Sequence, residues 1–166
     1  MSELLDSPSP TELVFSELAE APDWLPTLVQ WHQQQWPHQS EHQRRQKLQQ
    51  HLEPGAFPTT LLALRGEQLV GSVSVVCYQR LGGLGPSYWV ANAYVAPDCR
   101  RRGLGSQLIQ AAQAYAQRQN LNELYLYATD QVSFYRRLGW QSLRQKSFKG
   151  ELATIMRRQW NSSEKG

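Results

Sequence analysis

A strand-like run, SYWVANAYVA from Ser87 to Ala96, stops at Pro97, and the chain then reads Arg100-Arg101-Arg102-Gly103-Leu104-Gly105-Ser106 before an apolar periodicity begins. A strand, a glycine-bearing turn and a helix in direct succession constrain the fold more than any other stretch. They bring a helix N-terminus beside the end of a strand. The unpaired N–H groups of the first helical turn, aided by the helix dipole, make an anion site there. Gly103 and Gly105 carry no side chain, so a phosphate reaches the backbone, and three arginines add cationic donors at the same end. A pyrophosphate suits this arrangement better than a single carboxylate. The competing reading is a solvated basic turn that merely starts a helix.

The charge distribution agrees with an anionic ligand in the later part of the chain. Residues 1–43 hold seven acidic residues and no Lys or Arg; all 17 basic residues follow, against the other seven acids. The 166 residues, 40% hydrophobic, suit one domain with a sizeable core. We expect that domain over 11–160, between frayed tails at 1–10 and 161–166. No run has the length of a membrane helix, and MSELLDSPSP lacks the regions of a secretory signal. Cys77 and Cys99 have no metal-type spacing and read as free thiols of a reducing compartment, so a cytoplasmic protein is expected, with no metal.

Periodicity supplies the elements. Glu12 to Leu18 is a short strand. Asp23 is expected to cap a helix with Pro26 in its first turn, whose face is Leu25, Leu28, Val29, His32 and Trp36 and which Pro37 ends. Ser40 and Gln43 have the spacing of a capping box, opening a second helix to about Leu52. Thr59 to Gln79 is a hairpin turning at Arg65-Gly66-Glu67. After the strand of Ser87 to Ala96, a helix runs from about Gly103 to Asn120 with a buried stripe of Leu104, Leu108, Ala111, Ala112 and Tyr115. A strand ELYLYA, a short helix capped near Asp130 and ended by Gly139, and strands at Trp140 to Phe148 and Leu152 to Arg158 complete the chain. The order β-α-α-β-β-β-α-β-α-β-β predicts an α/β (α+β) domain with one mixed central sheet.

The glycine turn lacks the Gly-Lys-Ser/Thr of a P-loop. It also has Leu108 where a dinucleotide-binding fold carries its third glycine. The stretch V-x-P-x-x-R-R-R-G-x-G-x-x-L instead resembles the acyl-coenzyme A motif of the GNAT N-acetyltransferase family, with Arg100, Gly103 and Gly105 at its key positions. A second signature of that family, a short helix ending in Tyr and then Leu-Gly-Phe, is similar to FYRRLGW at Phe134 to Trp140. Helix and strand separate the two signatures as the family requires, and the element order matches its fold. ATDQVSFYRRLGWQ and the early Gln35-Trp36-Pro37 resemble the branch with actin-type N-terminal acetyltransferases and bacterial relatives.

That resemblance implies an acetyl-CoA-dependent N-acetyltransferase acting on a primary amine by direct attack. It implies a gap between the fourth and fifth strands, opened by a bulge, that takes the pantetheine arm. Backbone groups of Ala93, Tyr94 and Val95 would bond the arm, and Arg100, Arg101, Arg102, Gly103, Leu104, Gly105 and Ser106 would form the pyrophosphate loop. Arg136 or Arg137 either helps with a further phosphate or faces solvent. Tyr135 would be the general acid that protonates the departing thiolate. Cys77 and Cys99 need no nucleophilic role. The general base stays open among Asp130, His38, Tyr88 through water, and water alone. The acceptor site would lie between Gln35 to His38, where Trp36 either walls the pocket or is core, and Lys146 to Glu151. Acetyl-CoA and an amine are the expected partners, without nucleic acid or membrane, for a monomer or homodimer. The rivals are a non-catalytic acyl-CoA sensor, against which Tyr135 speaks, and a nucleic-acid module. The latter predicts aromatics interleaved with basic residues on an exposed sheet.

Overall fold

The computed structural model describes residues 12–83, 85–148 and 150–160. The expected tails at 1–10 and 161–166, and Lys149, lie outside the described residues. Within them the order is β1 (Leu13–Glu17), α1 (Leu25–Gln35), α2 (Glu41–Gln49), β2 (Thr59–Arg65), β3 (Gln68–Gln79), β4 (Pro86–Val95), α3 (Leu104–Arg118), β5 (Glu123–Ala128), α4 (Val132–Arg137), β6 (Gln141–Phe148) and β7 (Glu151–Gln159). This is the expected mixed α/β order. The strands form one seven-stranded sheet, β1-β2-β3-β4-β5-β7-β6. Every neighbouring pair is antiparallel except β4 and β5, which run parallel with α3 as the connection between them. Among the described residues no helix is long and apolar enough to cross a membrane.

Alternation along β2 and β3, shifted by a bulge where Ala63 pairs with Gly71 and Leu64 with Leu69, lets the sheet bury both faces. Leu61, Ala63, Val73 and Val75 pack under α3, whose buried stripe is Leu104, Leu108, Ile109, Ala112, Tyr115 and Ala116. Leu62 and Leu69 face the other way, onto Leu25, Leu28 and Val29 of α1 and Leu48 of α2. Gly71 permits the tight contact with α3. A Cβ there would stand 2.9 Å from the Tyr94 carbonyl oxygen and 3.2 Å from Leu108 Cδ1.

The capping box of α2 forms as its spacing predicts. The Gln43 amide donates to Ser40 Oγ, and the Ser40 amide donates to Gln43 Oε1, both at 3.1 Å. Asp23 does not cap α1. It sits inside a 3-10 turn, Pro22–Trp24, which leads directly into α1 with Trp24 at the N-cap and no side-chain cap. Asp130 lies next to the N-cap of α4, as expected; the cap itself is Gln131, and no side chain bonds the helix start there.

Candidate active site

The sheet opens at β4. Ser74 pairs with Ala91 and Ser72 with Tyr94, so Val73 alone stands opposite Asn92 and Ala93. This bulge holds Asn92 at φ +53, a left-handed conformation that asparagine tolerates better than most residues. One extra residue reverses the facing of everything after it. Before the bulge, Tyr88 lies on the α3 side with its ring 4.7 Å from Phe57. After it, Tyr94 turns toward α1, with its ring 4.9 Å from Trp31. Beyond the bulge β4 and β5 separate. Their one register pair is Trp89 with Tyr125, toward the start of each strand.

A cleft of about 670 Å³ occupies the opening. Ala93, Tyr94 and Val95 line one wall, and Arg100, Arg101, Gly103, Leu104, Gly105 and Ser106 line the end where α3 begins. Phe134 and Tyr135 of α4 close it, with Gln131 beside them and Gln35 at the α1 side. A more open groove of about 1010 Å³ lies at the β2–β3 turn, between Trp24, Trp31 and Glu67, and holds no residue of either motif.

The loop before α3 is built for backbone donors. Arg101 at φ +65 and Gly103 at φ +79 turn the chain into the helix, and no side chain caps it. Its first-turn amides therefore have no intrahelical acceptor and stand at the cleft. Nothing lies within 4 Å of where a Gly103 Cβ would be. The Ser106 hydroxyl donates to the Gly103 carbonyl at 2.9 Å, which steadies the turn. Arg100 is partly committed to the fold. Its Nε donates to the Val95 carbonyl at 2.9 Å, and its guanidinium lies 5.5 Å from the centre of the Tyr94 ring. Arg102, expected in the same loop, is exposed and is not among the cleft-lining residues; it stands between Arg101 and Gly103, both at positive φ.

Tyr135 is held at the last turn of α4, packed between Phe134 and Trp140 with ring centroids 5.1 and 6.3 Å away. Burial, and then the nearby Asp130 carboxylate, push its hydroxyl pKa above the ordinary 10, so it is a neutral O–H donor over the physiological range. Gly139, at φ +97, is required behind it. A Cβ there would be 2.9 Å from Arg158 Nε.

The acceptor-side expectations fare differently. Tyr88 is on the far face of the sheet from Tyr94, beside Cys77, and does not line the cleft. Trp36 is half-buried against His32 and Tyr94, and it is Gln35 that reaches the cleft. His38 and Lys146 are exposed. Asp130 acts on Tyr135 through its charge and is not a lining residue. Arg136 donates to Ser142 Oγ at 3.1 Å, which ties α4 to β6. The residues that sequence reasoning passed over are Asn92, Gln131 and Phe134. An asparagine inside an otherwise apolar strand was the available signal for the bulge.

The model of the acetyltransferase (GNAT) family matches residues 25–140. Mouse N-alpha-acetyltransferase 80 is 33% identical over 90 residues, 52% of this chain, and the match spans 29% of that protein's length. Among solved structures, an aminoglycoside 6'-N-acetyltransferase complexed with coenzyme A superposes with a TM-score of 0.71 at 13% identity, covering 88% of this chain and 96% of that one. Arabidopsis thaliana NAA60 in complex with a bisubstrate analogue superposes with a TM-score of 0.67 at 17% identity, covering 90% of this chain and 100% of that one. These neighbours share the fold, and the family model takes in both the glycine turn and the FYRRLGW signature. The chain belongs to the acetyltransferase (GNAT) family.

Proposed function

We propose that the protein is an acetyl-CoA-dependent N-acetyltransferase that acylates a primary amine. The observation that carries this reading is the joining of three features in one cleft: the gap past Trp89 and Tyr125, the uncapped start of α3, and the Tyr135 hydroxyl. The residues present fit the donor. The amides of Leu104, Gly105 and Ser106 would take the pyrophosphate, with Arg101 adding charge over an open glycine backbone. The edge of β4 at Ala93 to Val95 would bond an extended pantetheine arm in place of the missing β5 partner. Bound acetyl-CoA supplies an activated acetyl thioester.

The chain's own groups then do three things. A β4 amide polarises the acyl carbonyl, Tyr135 holds a proton for the departing sulfur, and the cleft positions the amine for direct attack. The curated relative and the neighbours act on unlike acceptors, so the acceptor class rests on this chain's own cleft, open at the Gln35 side. The free cysteines Cys77 and Cys99 support a reducing, cytoplasmic setting.

The deciding experiment is thiol release from acetyl-CoA against a mixed panel of small amines and N-terminal peptides, acidic ones included. Turnover with at least one amine is expected. Acetyl-CoA binding without thiol release from any member would favour the sensor, and no binding at all would sink the donor assignment.

A further inference from the structure

Arg44, on α2, is 5% exposed, and no carboxylate pairs with it among the described residues. The ion pair recorded next to it joins Arg45 to Glu41 at 3.7 Å on the outer face of the helix. A buried guanidinium without an anion is costly, so its hydrogen bonds define its use. Both reach across to the end of α1. One terminal nitrogen donates to the Trp36 carbonyl, and Nε donates to Gln33 Oε1 at 3.4 Å.

Trp36 is the C-cap of α1, at φ −131 and ψ 76, and its N–H already bonds the His32 carbonyl. Its own carbonyl is one of those a helix end leaves unsatisfied, at the negative pole of the helix dipole. Arg44 fills that role from another helix. The Trp36 ring is gripped as well, 5.3 Å from His32 at 69° and 6.3 Å from Tyr94. Gln35, which lines the cleft, lies between these two anchors and the body of α1.

We propose that Arg44 is a positioning residue for the amine acceptor: by holding the Trp36 carbonyl it fixes the end of α1 and keeps Gln35 at the mouth of the cleft, without touching donor or acceptor. This rests on the N-acetyltransferase reading. The lysine at this position would supply a point charge without the fork that spans Trp36 and Gln33, so Arg44→Lys is not conservative here. Arg44→Met keeps the stem and removes all the donors.

The test compares the full chain with Arg44→Met and Arg44→Lys by three readouts: acetyl-CoA affinity by calorimetry, kcat and acceptor KM with the best amine of the panel, and hydrogen exchange of the 35–39 amides. The acetyl-CoA Kd is expected to stay within about twofold, and acceptor KM to rise about tenfold with kcat nearly kept. The 35–39 amides are expected to exchange faster while those of 104–108 do not change. Arg44→Ala, with guanidinium ion added at millimolar concentration, is expected to recover part of the KM loss. Unchanged exchange at 35–39 in a folded variant overturns the proposal whether or not the protein turns over. So does an equal loss of acetyl-CoA affinity and acceptor KM. Absence of thiol release by the parent chain counts against the acetyltransferase reading, and the exchange readout still decides the role of Arg44.

Discussion

Trp89 and Tyr125 stack with ring centroids 5.2 Å apart and planes 30° from parallel, and they are the register pair that joins β4 to β5. Tyr127 stacks on the same indole at 4.7 Å and 19°. The aromatic stack therefore sits at the apex from which the two strands diverge. It substitutes side-chain contact for the backbone ladder that the parallel pair gives up.

Removing that stack should loosen the apex and the cleft together. Trp89 is half-buried, so Trp89→Ala is expected to cost about 1–3 kcal/mol, less than truncation of a fully buried indole. Trp89→Phe should recover most of it. Urea unfolding measures the loss, and calorimetry should show weaker acetyl-CoA binding in the alanine variant. Full stability in Trp89→Ala would mean that the two strands are held elsewhere.

Gly71 links the helix packing to the cleft wall. Its missing Cβ would press on the Tyr94 carbonyl oxygen, a backbone atom that cannot swing aside, and on Leu108. Gly71→Ala should cost about 1–3 kcal/mol by overpacking and displace the β4 edge that lines the cleft. Acetyl-CoA affinity should fall even where the variant remains folded. An alanine variant with native stability and native affinity would show that the strand yields freely.

The legible parts of this chain are those whose cause is local. Ser40 and Gln43 satisfy each other three residues apart, and Gly103 and Gly139 mark positive φ where helices begin and end. Both family motifs could be read for the same reason. A bulge at the fourth strand follows from the family resemblance, but its position at Asn92 does not, because it is defined against β3, twenty residues earlier in the chain. That bulge is also why Tyr88, one of the open choices for the base, lies on the opposite face of the sheet from Tyr94. His32 is buried on the helix face its spacing assigns it to, whereas the burial of Arg44 follows from how α1 and α2 pack together and has no local signal. Asp23 failed as a cap because a 3-10 turn competes for the same residues, with Pro22 starting it.

Tyr135→Phe keeps the ring and removes the proton. The expected result is a fall in kcat of about 10²-fold or more with little change in acetyl-CoA affinity. Because the Tyr135 pKa is raised above 10, its loss of the proton should not limit kcat until the pH exceeds that value. Asp130 is the second cause of the shift, so Asp130→Asn should move this alkaline fall downward. A pH–rate profile of the three proteins checks both points. Equal kcat in parent and Tyr135→Phe would remove Tyr135 from the chemistry.

His32 gives the acid side of the stability profile. It is 1% exposed, its Nε2 has no hydrogen-bond partner among the described residues, and it is held neutral. Its pKa is lowered from 6.5 to about 4, by burial first and then by the charges of Arg44 and His51. Between those values the unfolded chain binds a proton that the folded chain does not. Stability is therefore complete above pH 6.5 and falls as the pH drops toward 4. The full shift corresponds to a loss on the order of 3 kcal/mol at 1.36 kcal/mol per pH unit. His51 is displaced in the same direction by burial and adds to the slope. His32→Leu should flatten the curve below pH 6.5 and cost little at neutral pH, since the orphaned nitrogen goes with the imidazole. Urea unfolding at pH 7.5, 5.5 and 4.5 reads both proteins. The same acid loss in each would show that His32 is not what the protein must protonate to unfold.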